Sequence, residues 1–338
     1  MKNNNVPICA VLDNGYAMPT VVMLSSLKFT KSKNTKYKIY LVCNLVNSDT
    51  KKKINLLASD DFSIKYIDVE GKIPELENFK INNIPATPTS IYKFFIPELI
   101  GNEKKIIYLD ADVIVKQDLS ELYKINLENN FVAAVKDLNG LGYLKLSNEK
   151  YTYFNSGVML MNLAKMRDEN ISEKLMQYRI NGLNKLMDQD ALNYVFKDKV
   201  KMLHFKYNTQ MNVLMANLYD KRNYSISKIK KYWSIVGKVQ TVDDIIKDAV
   251  ILHYTSLKPW KYFDCIGIEI WLKYYYLSPY KDIDLILESK YIKHVMNMKA
   301  YRLGNFFLSP FRLLFPYAKK LVKTKYKRFL LTFKKDGG

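Results

Sequence analysis

The sequence predicts an α/β architecture built on a mostly parallel sheet, and three observations carry that prediction. Short, nearly continuous apolar runs alternate with segments of helical length, the pattern of strand-helix-strand units. The first run, residues 6–12, has no polar residue, as a strand buried on both faces requires. A later run, residues 105–109, leads straight into Asp110-Ala-Asp112, and the carboxyl ends of strands are where such sheets bind ligands.

The elements follow in order. The strand over 6–12 stops at Asp13-Asn14-Gly15, a turn sequence, and a helix with Pro19 near its start runs on to about residue 29. A second strand covers 38–42. Ser48 caps a helix reaching about residue 58, and 62–69 forms a third strand. A helix over about 89–100 precedes the strand at 105–109. Beyond it, 131–135 and 153–161 are predicted strands and 171–180 and 190–196 predicted helices, and the apolar run 249–252 leads into His253. The chain has no internal repeat and no low-complexity segment.

With 338 residues, 48% of them apolar, the chain can bury a sizeable core, which excludes a disordered or fibrous protein. Lys and Arg number 53 against 33 acids, a net charge of +20, so anionic partners are favoured. From Lys290 onward thirteen Lys or Arg face one acid, Asp336, and this stretch carries +12 of that total. We expect one domain over 1–289 and a basic appendage over 290–338. In the appendage, Ala318, Leu321, Val322, Tyr326, Phe329, Leu330 and Phe333 recur at helical spacing among lysines, the composition of a helix that lies on an anionic membrane surface. Cys9, Cys43 and Cys265 form no C-x-x-C pair, so neither a disulfide framework nor a zinc site is expected. The N-terminus lacks the pattern of a cleaved signal, and no apolar stretch approaches the ~20 residues that span a bilayer. The expected location is the cytoplasm, peripheral on the cytoplasmic face of the inner membrane.

Three constellations carry chemistry. Asp110 and Asp112, two apart at a strand end, can turn both carboxylates toward one hard divalent ion, although acids there also cap helices. His253, five residues before Lys258, offers an imidazole ligand and a point charge for a diphosphate. Asp188-Gln189-Asp190, with Asn155-Ser156-Gly157 on a preceding segment, supplies the carboxylates and amides that meet sugar hydroxyls.

In this order, Leu12-Asp-Asn-Gly-Tyr-Ala17, Tyr108-Leu-Asp-Ala-Asp-Val-Ile114, Tyr153-Phe-Asn-Ser-Gly-Val-Met159, Asp188-Gln-Asp190 and His253-Tyr-Thr-Ser-Leu-Lys-Pro-Trp260 resemble glycosyltransferase family 8, over about residues 6–262. The family includes bacterial lipopolysaccharide and lipooligosaccharide galactosyl- and glucosyltransferases and, more distantly, glycogenin. The resemblance implies a GT-A fold, UDP-galactose or UDP-glucose as donor, Mn²⁺ (or Mg²⁺) as the ion, retention of configuration, and a glycan or glycolipid acceptor in lipopolysaccharide, lipooligosaccharide or capsule assembly.

Carried over by position, it implies Asp110, Asp112 and His253 as metal ligands. Leu12, Asp13 and Tyr16 fall at the uridine, Ala111 and Ser256 at the donor backbone contacts, and Lys258 at the diphosphate. Lys93, Asp137, Asn155, Asp188 and Gln189 fall at the donor sugar, with Asp188, Gln189 and Lys258 the catalytic candidates. Relatives usually carry arginine where this chain has Lys93, and a lysine brings a point charge without a bidentate fork. The His253-to-Lys258 spacing is one residue shorter than in the lipooligosaccharide galactosyltransferases, with Ser256 where glycine is common.

Two rival readings fit parts of the sequence. A haloacid-dehalogenase-type phosphatase also opens on a strand followed by D-x-D, but near the domain start and with a later acidic loop, for which Asp243-Asp244 is the only candidate. A basic nucleic-acid-binding module would fit the charge and the 26 tyrosines, but the charge sits in the tail and no nucleic-acid-binding motif is present, so no nucleic-acid partner is expected.

Overall fold

The computed structural model describes residues 4–70, 72, 88–138, 152–181, 187–219, 225–262 and 265–281. The basic appendage, and most of the loop from Asp137 to Thr152, lie outside the described residues. The elements are β1 (Asn4–Leu12), α1 (Ala17–Thr30), β2 (Thr35–Cys43), α2 (Ser48–Asn55), β3 (Phe62–Asp68), α3 (Pro88–Tyr92), α4 (Ile96–Leu99), β4 (Ile106–Leu109), β5 (Val113–Val115), α5 (Ser120–Lys124), β6 (Val132–Lys136) and β7 (Phe154–Met161). They continue with α6 (Leu163–Asp168), α7 (Ile171–Asn181), α8 (Met187–Phe196), β8 (Val200–Met202), β9 (Thr209–Gln210), α9 (Met211–Tyr219), α10 (Ile226–Tyr232), α11 (Val242–Asp248), β10 (Ile251–His253) and α12 (Ile268–Leu277).

Seven strands form one sheet in the order β3-β2-β1-β4-β7-β6-β8. β1 pairs in parallel with both β2 and β4, and β2 with β3, while β7 runs antiparallel to β4 and β6. Every strand but β7 therefore points the same way. The chain leaves β1 first toward β2 and β3, then returns to β4 on the opposite flank, so the carboxyl ends of β1 and β4 mark a switch point where loops diverge and a ligand can enter. Asp13 follows β1 and Asp110 follows β4, at that crevice.

β1 is buried on both faces, as its unbroken apolar run demands: Ile8, Ala10 and Leu12 line one face, while Cys9 joins Tyr40, Val42, Tyr108, Met159 and Met161 in the cluster on the other. α1 carries Val21, Val22, Met23, Leu24 and Leu27 with no exposed surface and packs against β5 and α12. Each such side chain contributes roughly 1.5–3 kcal/mol on burial.

A second sheet has three strands, β5-β10-β9. β10 runs antiparallel to β5, pairing His253 with Val113, and parallel to β9, pairing His253 with Gln210. This small sheet was not expected from the sequence, because strands of two and three residues leave no periodicity to read.

Several sequence expectations shift. The helix expected over 89–100 is three short pieces, with a 3₁₀ turn over Lys93–Phe95 between α3 and α4. Pro97 has no N–H to give residue 93, so the helix restarts there with proline in its first turn. The cap of α2 is Asn47, whose side chain accepts from Thr50 N, with Ser48 the first helical residue. α8 begins at Met187, earlier than Asp190, which places Asp188 and Gln189 in its first turn.

Candidate active site

The D-x-D pair and His253 are brought together by the second sheet. β10 lies against β5, so Tyr254 N donates to Asp112 O at 3.0 Å and the imidazole comes to rest over the turn that carries the acids. His253 Nε2 stands 3.2 Å from Asp112 Oδ1 and 4.0 Å from Asp110 Oδ2, and one oxygen or nitrogen from each of the three residues fits within a 4.8 Å span. Metal–ligand bonds of about 2.1 Å put neighbouring ligands ~3 Å apart and opposite ones ~4 Å apart, so this triad needs only a small contraction to grip one octahedral ion. Two carboxylates and an imidazole are a donor set for a divalent cation.

β7 supplies the wall behind this triad. Asp110 N donates to Gly157 O at 2.8 Å, which continues the β4–β7 ladder into the D-x-D turn. A Cβ at Gly157 would stand 2.2 Å from His253 Cε1 and 2.7 Å from Asp110 Oδ2, so only glycine lets these two side chains converge. Asp110 Oδ1 is held by the Tyr108 hydroxyl at 2.7 Å, leaving Oδ2 toward His253.

Two lysines balance the acids. The Lys258 ammonium contacts Asp112 Oδ2 and donates to Tyr254 O at 2.7 Å. Burial works to raise the Asp112 carboxyl, but His253 and Lys258 outweigh it and hold it well below the usual carboxylate range. Lys93, 4% exposed, lies 2.6 Å from Asp188 and 3.4 Å from Asp110. Burial opposes its charge, yet the two carboxylates keep its pKa raised. Lys93 thus bridges the D-x-D turn and the first turn of α8.

The remaining predicted residues divide into two groups. Asp137, Asn155, Asp188 and Gln189 join one buried network. Gln189 Oε1 accepts from Ser156 N at 3.0 Å, and its Nε2 donates to Asp137 Oδ2 at 3.0 Å and to Tyr153 Oη at 3.3 Å. Ser156 Oγ donates to Asp188 Oδ2 at 3.0 Å, and Asn193 on α8 clamps both backbone groups of Phe154. The other group lies at the end of β1. Asp13 accepts from Tyr16 N at 2.8 Å, and Tyr16, 39% exposed, meets Trp260 edge to face at 5.9 Å. Asn14 ties this turn to the loop after β2, donating to Leu45 O and accepting from Asn47 N. Ser256 is exposed and Ala111 half-buried, whereas Leu12 is fully buried, so only its backbone can face a ligand.

Sequence reasoning passed over Asn208, which is fully buried with its Oδ1 3.0 Å from His253 Nδ1. It also passed over the hydroxyls of Tyr108 and Tyr153. The available signal was Asn208-Thr209-Gln210, three polar residues with no exposed surface among aromatic neighbours, but polarity alone does not announce burial.

With this geometry in view, the comparisons with known proteins are direct. Glycosyl transferase family 8 matches residues 7–264. General stress protein A of Bacillus subtilis is 28% identical over 272 residues, covering 77% of this chain and 88% of the relative. A lipopolysaccharide 1,2-glucosyltransferase of Escherichia coli K12 is 27% identical over 260 residues, covering 72% of this chain and 70% of its own length. Two further bacterial glycosyltransferases are matched over only 57% and 47% of their own length. Among solved structures, the galactosyltransferase LgtC in complex with donor and acceptor sugar analogues superposes with a TM-score of 0.66 at 23% identity, covering 81% of this chain and 96% of that one. The fold is GT-A, with a mixed, mostly parallel sheet flanked by helices. A family match running from the strand before Asp13 to just beyond Trp260 encloses every residue of the crevice, and this chain belongs to glycosyl transferase family 8.

Proposed function

We propose that the protein is a metal-dependent, retaining hexosyltransferase that moves galactose or glucose from a UDP-sugar to a glycan or glycolipid acceptor in lipopolysaccharide, lipooligosaccharide or capsule assembly. The single observation behind this reading is the convergence of Asp110, Asp112 and His253 at the switch point, with Lys258 on Asp112 and the polar Gln189 network beside it. Similarity to a lipopolysaccharide glucosyltransferase and to a galactosyltransferase bound to sugar analogues supports the substrate class.

In this reading Asp110, Asp112 and His253 Nε2 would hold Mn²⁺ or Mg²⁺, which would supply positive charge against the diphosphate. Lys258 stands at the same diphosphate and adds a fixed positive charge where charge develops. Tyr16, steadied by Trp260, stacks on the uracil and Asp13 takes its polar edge. Asp188 and Asp137 meet sugar hydroxyls, and Lys93, 2.6 Å away, holds Asp188 in place.

Gln189 bears on how configuration is retained. Its amide is pinned by Ser156 N, Asp137 and Tyr153, and an amide oxygen is a poor nucleophile. We therefore favour attack by the acceptor on the face the diphosphate leaves, with Gln189 as a fixed polar wall. A trapped glycosyl-enzyme adduct on Gln189 would overturn this choice.

Among the described residues no helix is long and apolar enough to cross a membrane. The lysine-rich sequence over 290–338 supports docking at the cytoplasmic membrane face, since each Lys or Arg near an anionic leaflet contributes about 1 kcal/mol. Loss of sedimentation with anionic liposomes on truncation after residue 289 is the expected result, and full retention would remove the tail from the proposal.

The defining experiment is UDP release by the full chain with Mn²⁺ and a panel of UDP-sugars. One donor should be hydrolysed slowly, with activity abolished by EDTA and reduced about a thousandfold by Asp112→Asn, equivalent to ~4 kcal/mol. Release that persists in both controls would contradict the metal-dependent mechanism.

A further inference from the structure

Within the reading of Asp110, Asp112 and His253 as a cation site, we propose that a buried hydrogen-bond relay from the backbone N–H of Gly157, through Asn155 and Asn208, holds the His253 ring by its Nδ1–H and aims Nε2 at the two carboxylates. Asn208 is a positioning residue, acting through the histidine without touching either substrate.

Each link dictates the next. A backbone N–H can only donate, so the Asn155 atom 3.0 Å from Gly157 N is the carbonyl oxygen. The Asn155 amide nitrogen then faces Asp137 Oδ2, at 3.2 Å. Asn155 Oδ1 receives a second hydrogen bond, from Asn208 Nδ2 at 2.8 Å. That donation turns Asn208 Oδ1 toward His253 Nδ1, at 3.0 Å. An amide oxygen can only accept, so Nδ1–H donates to Asn208 and Nε2 is the ring nitrogen turned toward the acids, 3.2 Å from Asp112 Oδ1.

The relay is sheltered throughout, Asn155, Asn208 and His253 being 7%, 0% and 3% exposed, so water cannot readily substitute for a lost partner. The two sheets set its spacing. Asn208 enters β9 beside β10, and Asn155 lies on β7, whose Gly157 also accepts from Asp110 N. One glycine therefore anchors Asp110 directly and His253 at three removes. Outer partners of metal-bound histidines commonly fix ring orientation in this way, and their loss costs about 10–100-fold in metal affinity.

The test needs no enzyme turnover. Long-range ¹H–¹⁵N correlations on metal-free, full-length protein labelled at its three histidines, His204, His253 and His294, report which ring nitrogen carries the proton, with His253→Gln identifying the signal. The wild type should show His253 protonated at Nδ1, and a ring protonated at Nε2 alone would overturn the relay outright. Asn208→Leu should lose that bias and bind Mn²⁺, followed by electron paramagnetic resonance of the free ion, about 10–100-fold more weakly. Asn208→Asp, which still offers an acceptor to Nδ1–H but loses the donor to Asn155 Oδ1, should keep Nδ1 protonated and recover only part of the affinity. A folded Asn208→Leu protein with unchanged tautomer and unchanged Mn²⁺ affinity would also refute the proposal. Asp112→Asn, run alongside, separates the failures: if it too leaves Mn²⁺ binding intact, the cation site itself is wrong.

Discussion

Around Asp112 and His253 the polar groups are buried and bonded to one another, whereas around Asp13 and Tyr16, beyond the neighbouring strand end, they face solvent. Asp112 and His253 are 9% and 3% exposed, and Tyr16 is 39% exposed. The difference follows from the work proposed for each side. Charge that develops during bond cleavage is best met by groups already oriented in a dry setting, since their reorganisation cost is met during folding. A planar base needs only an aromatic face and an edge partner, and both can be presented at the surface.

If that contrast is correct, substitutions on the buried side should remove function or stability outright, and those on the open side should only weaken donor binding. Gly157→Ala is the harshest test. Its Cβ would force apart His253 and Asp110, so Mn²⁺ binding and UDP release should both fall at least a thousandfold while circular dichroism still reports a folded chain. Near-normal activity would show that the crevice is more plastic than its packing indicates.

Lys93→Met comes next. Removing a buried ammonium leaves Asp110 and Asp188 facing each other without their shared cation, a loss of roughly 3–5 kcal/mol when one partner of a buried pair is deleted. Thermal unfolding should record a clear drop in Tm, and an unchanged Tm would mean the pair is not buried in solution. On the open side, Tyr16→Ala should raise the donor KM about tenfold with kcat little changed, because one base–aromatic stack is worth ~1–3 kcal/mol.

The smallest effect is on acid stability. Because His253 and Lys258 hold Asp112 below its unfolded value in the metal-free protein, its contribution is complete above about pH 4 and is lost as pH falls toward the lower native value. Urea titrations should show Asp112→Asn destabilised relative to the wild type near neutral pH, with the gap narrowing below pH 4. A gap independent of pH would assign the loss to packing.

The buried sheet was legible in the sequence because a strand covered on both faces must be apolar throughout. β4 and the apolar run of β1 declare themselves this way, whereas β3 is legible by alternation, with Ser63 and Lys65 exposed between apolar residues. The acids after β1 and β4 were legible for a related reason, since polarity stands out immediately after an apolar run. Asn208 was not legible. It sits before a two-residue strand, and what makes it matter is pairing with β10, more than forty residues on, which no local pattern encodes. The break at Pro97 lies between these cases: the proline was visible, but the apolar residues around it fit an uninterrupted helix equally well.

The most direct test is an anomalous difference map from crystals grown with Mn²⁺ and UDP. A single strong peak bonded to Asp110, Asp112 and the Nε2 atom of His253, with a diphosphate completing the shell, is the predicted result. Manganese found elsewhere, or bound through Nδ1 of a turned ring, would contradict both the site and the hydrogen-bond relay behind it.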